Sequence, residues 1–343
     1  MTDKKDNTKN NNTLIIAEVA QAHDGSLGIA HAFIDAVSKT GADAIKFQTH
    51  IAEAETTYSE PWRVKFSTQD NTRYDYWKRM EFSEDQWLEL RQHSEEVGLK
   101  FLSSPFSIEA VQLLNKIGVY IWKIPSGEIT NFPMLEVIID TRKDIIISTG
   151  MSPLSEIDHA VNFLSEADSN LTVLQCTSMY PTPPGEIGLD MIEVFRERYS
   201  CDVGLSDHSG KIYAGLAAAT LGIDMLEVHV TFSRDMFGPD VSSSLSILEL
   251  TDLVQGIRFV EKMNSKKINK DKLARELEPI RQIFTKSIYY KNDVKKDAIL
   301  EKKHLQLKKP GDGVGADQFG NLIGRKMKKS VKKDKQLSLS DIL

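Results

Sequence analysis

Apolar positions along the chain alternate between two patterns. Short, nearly unbroken apolar runs occur at 14–19 (LIIAEV), 43–48 (DAIKFQ), 99–103 (LKFLS), 119–124 (VYIWKI), 144–148 (DIIIS), 171–176 (LTVLQC), 202–205 (DVGL) and 224–229 (DMLEVH). Runs of this kind belong to parallel strands buried on both faces. Between them apolar residues recur at helical spacing. The segment 29–42 has them at 29, 30, 33, 34 and 37 before a glycine stop. The segment 83–98 opens with Ser83 as N-cap and Gln86 as its capping-box partner, and closes on Gly98; 107–118 repeats the plan, and 246–262 supplies the last helix.

Strand and helix alternating eight times over about 250 residues predict a (β/α)8 TIM barrel, an α/β fold. An open doubly wound sheet is the alternative, but AEVAQAHDGS after the first strand is not its usual Gly-rich phosphate loop. The predicted plan is a polar, disordered tail over 1–12, the barrel over 13–262, a charged helical linker over 263–284 and a small domain over 285–343. That last segment has short β-like pieces, a Pro-Gly turn and two similar phrases, VKKDAILEKKHL and VKKDKQLSLSDIL. The alternation is interrupted at 49–82, an insertion rich in aromatics and charge. Following a barrel strand, it belongs to the face where active sites form, as a lid, a subunit contact or an excursion packed on its own aromatics.

Composition narrows this little. At 343 residues, 41% hydrophobic and 27% charged, the chain reads as an ordinary soluble protein. It shows no signal peptide and no apolar run of membrane-spanning length. Two cysteines, Cys176 and Cys201, are too few for a disulfide framework and fit the cytoplasm. The net charge of −6 hides an asymmetry: from Thr285 onward 15 Lys/Arg face 7 Asp/Glu. Such a basic segment suits an anion or an acidic body. Nucleic acid is disfavoured as a partner, because no recognition motif or interleaved aromatics accompany the lysines.

In a barrel, polar residues at the C-terminal strand ends share one mouth. Here they are Glu18, Lys46, Gln48, Ser103, Ser104, Lys123, Ser126, Glu128, Ser148, Thr149, Thr177, Tyr180, Ser206, Asp207, His208 and His229. Strands seven and eight are neighbours, which brings His208 and His229 within reach of one divalent ion with open positions for substrate. Lys123, Ser104, Ser126 and Ser206 suit a phosphate. Glu18 and Glu128 can handle protons or bind sugar hydroxyls. Cys176 reads as a buried strand residue rather than a nucleophile. Trp62, Tyr74, Tyr76 and Trp77 read as packing residues rather than a sugar platform.

The phrases IIAEVAQAHDGSLGIA, GADAIKFQTH, FLSSPFS, KIPSGEITNFP, STGM, LQCTSMYPTPP, VGLSDHSG, LEVHVT and GPDVSSSL, in this order, resemble the sialic acid synthase (N-acetylneuraminate synthase) family. The last segment resembles that family's SAF (antifreeze-like) domain. The resemblance implies condensation of phosphoenolpyruvate with an N-acetylated amino sugar such as N-acetylmannosamine, giving a nine-carbon 2-keto acid and phosphate. It also implies a Mn²⁺ or Mg²⁺ ion on His208 and His229, and a domain-swapped homodimer. Phosphoenolpyruvate would meet Lys46, Ser104, Lys123, Ser126, Ser148 and Ser206. The sugar would meet Gln48, Glu128, Tyr180 and Asp240, and Glu18 or Glu128 would serve the reacting carbons. The ion would polarise the sugar aldehyde, and water would displace phosphate by C–O cleavage.

Two departures stand out. Ala22 and Asp24 occupy positions where many members carry asparagine. Lys309 of KKPGDG stands where many carry an arginine that reaches the partner's sugar site, and lysine lacks arginine's planar fork. A diacetylated 6-deoxy sugar, leading to legionaminic or pseudaminic acid, is the implied neighbouring substrate. The competing readings are a barrel aldolase or lyase, and a carbohydrate- or ice-binding protein with an inactive barrel.

Overall fold

Eight parallel strands, β1 (Leu14–Ala20), β2 (Ala44–Thr49), β3 (Lys100–Pro105), β4 (Ile121–Ile124), β5 (Asp144–Ser148), β6 (Leu171–Cys176), β7 (Asp202–Asp207) and β8 (Met225–Thr231), pair in the order β3-β2-β1-β8-β7-β6-β5-β4. β3 and β4, the two ends of this path, lie beside each other, so the barrel is nearly closed. This is the predicted eight-stranded barrel rather than an open sheet. The computed structural model describes residues 12–343. The expected tail over 1–12 lies outside the described residues except for Asn12. The described residues fall into two compact units that part between Ser265 and Lys266.

The helices of the first unit are α1 (Leu27–Ser38), α2 (Ala52–Glu55), α3 (Arg73–Met80), α4 (Glu84–Glu96), α5 (Ile108–Ile117), α6 (Phe132–Ile139), α7 (Leu154–Leu164), α8 (Met191–Arg198), α9 (Ile212–Thr220) and α10 (Ile247–Asn264). The Ser83–Gln86 capping box before α4 forms as its sequence predicts, and Gly118 closes α5 at φ +86°. α1 ends at Ser38, just past the last apolar position at 37 and short of the glycine stop at Gly41. Lys39 caps it, and the Thr40 hydroxyl and N–H both bond the Val37 carbonyl.

Side-chain alternation inside the barrel explains where chemistry begins. Ile16, Ala44, Leu102, Ile146 and Leu174, with Ile121 and Met225, form an apolar plug. Two residues further along the same strands, on the same face, stand Glu18, Lys46, Ser104, Ser148, Cys176, Lys123 and Glu227. On β7 the same step runs from Gly204 to Ser206. A Cβ at Gly204 would sit 2.2 Å from the Met225 carbonyl oxygen and 2.6 Å from Leu174. Opposite strand faces pack against the helices in the main core, which includes Ile15, Ala17, Val19, Ile45, Phe47, Phe101, Trp122, Ile145, Ile147, Val173, Val203, Leu205, Leu226 and Val228.

The insertion folds on its own aromatics: Ala52, Tyr76, Trp77 and Met80 are buried against Trp62, Phe66 and Tyr74. The other unit begins with two short helices, α11 (Lys270–Glu276) and α12 (Glu278–Phe284). It then pairs β9 (Ser287–Tyr290) antiparallel with β10 (Leu305–Lys308) around a core of Ile288, Tyr290, Leu300, Met327 and Leu337. Its two VKKD phrases are structurally matched. Val294 and Val331 bridge each other, and Asp297 and Asp334 take φ +67° and +62°. Among the described residues, no helix is long and apolar enough to cross a membrane.

Candidate active site

The strand ends open into a cavity of about 400 Å³ whose lining includes Glu18, Lys46, Gln48, Lys123, Ser126, Glu128, Ser148, Tyr180, Ser206, His208, His229 and Asp240. At its base is a buried ionic cluster. Lys46 Nζ lies 2.6 Å from Glu18 Oε2 and 3.6 Å from Glu227 Oε2, and Lys123 Nζ lies 3.3 Å from Glu227 Oε1. Hydroxyls complete the cluster. Lys46 donates to Ser104 Oγ (3.2 Å), Lys123 to Ser148 Oγ (2.9 Å) and Ser206 to Glu227 Oε1 (3.0 Å). All of these side chains are buried. Burial pushes the Glu18 carboxyl up to about 7 against the opposing pull of Lys46. Burial also raises Glu227, but Lys123 and Lys46 outweigh it and hold that carboxyl below its usual range. Burial draws the Lys123 ammonium down, and Glu227 offsets this only in part.

β7 and β8 run in parallel register with Asp207 opposite Val228, so His208 and His229 leave neighbouring strands at one level. Their ring centroids are 5.1 Å apart. His208 Nδ1 donates to the Thr177 carbonyl at 3.0 Å, which leaves Nε2 without that duty. Burial drives His229 down to about 3, keeping it neutral. Tyr180 stacks on His208 with centroids 4.3 Å apart, and Arg63 lies 4.2 Å above the other part of this assembly, the Tyr180 ring. Arg63 Nη2 also donates to Asp240 Oδ1 at 2.6 Å, while Asp240 Oδ2 stands 4.0 Å from His229 Nδ1.

Ser126 follows β4 and accepts from the Gly150 N–H at 2.9 Å. A Cβ on Gly150 would come 2.3 Å from Ser178 Oγ and 2.8 Å from both Cys176 Sγ and Ser126 Oγ, so this loop needs glycine for close approach. Half-buried Glu128 accepts from Asn131 Nδ2 at 2.7 Å, and burial raises its carboxyl. Cys176 Sγ lies 3.8 Å from His208 Nδ1. Burial pushes the thiol up, and His208 and Lys123 more than offset it.

Not every strand-end residue faces the mouth. Ser103 turns to Thr49 Oγ1 (2.7 Å), Thr149 to the Leu174 carbonyl (3.1 Å) and Asp207 to Ser209 (2.7 Å), because alternation points them away from Ser104, Ser148 and Ser206. Lys309 belongs to the other unit, where its Nζ lies 5.1 Å from the Phe284 ring centre. Asp24 makes no part of the Glu18 environment: it takes φ +50° and binds Arg79 Nη1 at 2.7 Å.

Several site residues escape sequence reasoning. Glu227 is signalled by its place two residues before His229 on one strand face. A polar chain also runs from the insertion to Glu18. Glu55 Oε1 meets His50 Nδ1 (2.6 Å), His50 Nε2 meets Gln21 Nε2 (2.8 Å), Gln21 donates to Gln48 Oε1 (2.7 Å) and Gln48 donates to Glu18 Oε1 (2.8 Å). The His50 ring is held between Trp77 and Phe106, at 3.9 and 4.2 Å.

The model of the NeuB family matches residues 33–269. The N,N'-diacetyllegionaminic acid synthase of Campylobacter jejuni is 36% identical over 94% of this chain and 98% of its own length. The human N-acetylneuraminate-9-phosphate synthase is 32% identical over 93% of this chain and 90% of its own. Among solved structures, the N-acetylneuraminic acid (sialic acid) synthetase of Leptospira borgpetersenii, in complex with citrate, superposes with a TM-score of 0.69 at 29% identity. That match covers 81% of this chain and 95% of the other.

Proposed function

This chain belongs to the NeuB family, and from that premise we propose that it is a nonulosonic acid synthase. It joins phosphoenolpyruvate to an N-acetylated amino sugar, giving a nine-carbon 2-keto acid and phosphate. One observation carries the reading: a single cavity combines a deep base, in which two lysines are held by two carboxylates and flanked by serine hydroxyls, with a half-buried polar rim around a histidine pair. The base, Lys46 and Lys123 with Ser126, Ser148 and Ser206, suits the phosphate and carboxylate of phosphoenolpyruvate; Ser104 orients Lys46 from below. The rim, Gln48, Glu128, Tyr180 and Asp240, suits sugar hydroxyls and acetamido groups. The 36% identity to a diacetyllegionaminic acid synthase supports a diacetylated 6-deoxy sugar as the acceptor.

In the reaction the methylene carbon of phosphoenolpyruvate bonds to the aldehyde carbon of the open-chain sugar. Water adds at the neighbouring carbon, and the bond from that carbon to the phosphate oxygen breaks. One proton of the water ends on the former aldehyde oxygen and the other leaves with phosphate. Glu18, its carboxyl raised to about 7, is suited to hold the water's proton in transit. Gln48 and Lys46 fix its two oxygens. Glu128 at the rim binds the sugar.

The histidine pair fits a divalent ion: two neighbouring imidazoles, one with Nδ1 fixed by a carbonyl, facing a polar cavity. Among the described residues no three His, Cys, Asp or Glu side chains converge on one point, so two protein ligands leave positions open to oxygen ligands. Mn²⁺ or Mg²⁺ on His208 and His229 would polarise the aldehyde oxygen. We further propose that residues 285–343 form an SAF domain and that the enzyme is a cytoplasmic, domain-swapped homodimer in which Lys309 of one chain approaches the sugar bound by its partner.

The test is incubation with phosphoenolpyruvate, Mn²⁺ and a panel of amino sugars. Phosphate release should require both substrates, and ¹⁸O in the bridging position of phosphoenolpyruvate should appear in phosphate. No release with any sugar would reject the reading.

A further inference from the structure

A second histidine pair meets on the outside of the barrel. His31 and Asp35 lie one turn apart on α1, Glu89 and His93 one turn apart on α4, and the two helices pack together. The four side chains form a row. Asp35 Oδ1 is 3.2 Å from His93 Nε2, His93 Nδ1 is 2.8 Å from His31 Nδ1, and His31 Nε2 is 3.3 Å from Glu89 Oε1.

The row has three gaps, and two neutral imidazoles bring one ring proton each. Two protons cannot fill three gaps. If both Nε2 atoms are protonated toward the carboxylates, the two Nδ1 lone pairs face each other at 2.8 Å. If one Nδ1 carries the proton instead, a bare ring nitrogen faces a carboxylate. The deficit is visible at His31, whose buried Nε2 has no aligned hydrogen-bond partner although Glu89 is near. A cation between the two Nδ1 atoms, a third proton or a metal ion, completes the row.

We propose that this cation is a divalent transition-metal ion of the Zn²⁺ or Ni²⁺ class, held by Nδ1 of His31 and Nδ1 of His93. Each ring then directs Nε2–H to a carboxylate, Glu89 or Asp35, the arrangement that orients histidine ligands and raises their basicity. Imidazole nitrogen is the donor these ions favour. Two nitrogens at ~2.1 Å from one tetrahedral ion lie roughly 3.4 Å apart, so the rings must part by roughly 0.6 Å. Both side chains are about a fifth exposed, at 23% and 22%, which leaves room for that movement and for water to complete the coordination.

Calorimetric titration of Ni²⁺ into the chelator-stripped full chain tests this, with the barrel-mouth pair controlled by a His208→Gln/His229→Gln variant. The α1–α4 site should persist in that variant and disappear in His31→Gln and in His93→Gln, lowering the stoichiometry by one. Asp35→Asn keeps both imidazoles and should weaken this site by about tenfold. Unchanged stoichiometry in both single histidine variants would overturn the proposal, leaving a shared proton between the two Nδ1 atoms. Loss of all binding in the mouth variant while it remains folded by circular dichroism would overturn it equally.

Discussion

Glu227 and Lys123 meet at 3.3 Å beneath the candidate substrate cavity, and the other oxygen of the same carboxylate stands 3.6 Å from Lys46. Glu227 therefore acts as counter-charge to two buried ammonium groups at once. Removing one partner of a buried ion pair strands the other in a medium that solvates it poorly. Glu227→Gln should destabilise the first unit by about 3 kcal/mol in urea unfolding. It should also raise the KM for phosphoenolpyruvate more than that for the sugar, because the lysines lose their positions rather than their identity. Equal effects on both KM values would separate Glu227 from the lysines.

The chain of hydrogen bonds from Glu55 through His50, Gln21 and Gln48 to Glu18 orients an amide whose two ends are chemically different. Gln48 accepts from Gln21 and so presents its NH₂ to Glu18. His50→Ala would remove a ring stacked between Trp77 and Phe106 and free Gln21 to turn. Catalysis depends on placement within an ångström, so kcat should fall by on the order of 10²-fold. His50→Gln, which retains a polar end near Gln21, should recover part of that loss. Steady-state kinetics of the two variants check this.

The ease of reading these features from sequence follows the range of the forces behind them. The Ser83–Gln86 capping box and the Gly118 helix stop involve neighbours in the chain, and both were legible. The eight strands were legible because burial on both faces leaves a dense apolar signature. His208 and His229 followed from strand adjacency alone. Glu227 is marked by alternation alone, since it shares a strand face with His229. The same alternation points Ser103 and Asp207 away from the mouth. His50, Gln21 and Arg63 are another matter. His50 and Arg63 belong to the insertion and Gln21 meets its His50; the insertion's course is set by packing of Trp62, Phe66, Tyr76 and Trp77, and no local periodicity encodes that.

Arg63 comes from that insertion and joins two candidate sugar-binding residues, stacking on Tyr180 and pairing with Asp240. Its side chain is 39% exposed, so the ion pair contributes little to stability, within about 1 kcal/mol. Its worth lies in holding both partners in one arrangement. Arg63→Ala should leave the melting temperature nearly unchanged and raise the KM for the amino sugar by about tenfold, with the KM for phosphoenolpyruvate unaffected. Kinetics with each substrate varied separately distinguish this from a general loss of activity.

His23, buried in the turn after β1, couples folding to pH. Its Nδ1 accepts the Gly25 N–H at 3.1 Å, which puts the ring proton on Nε2, and that atom is buried without a partner. Phe82 packs against the ring at a tilt of 36°, with centroids 4.8 Å apart. Burial, aided by His50 and Arg79, drives its pKa from 6.5 to about 3. The sign follows directly. Between those values the unfolded chain binds a proton that the folded chain does not, so stability falls as pH drops below 6.5. The His23 share of that slope is about 1.4 kcal/mol per pH unit. Above pH 6.5 both states hold neutral imidazole and the contribution is flat. Urea unfolding between pH 4.5 and 7.5 should show this slope, and His23→Asn should reduce it by about one proton's worth. Identical slopes in the two proteins would show that other groups set the acid sensitivity.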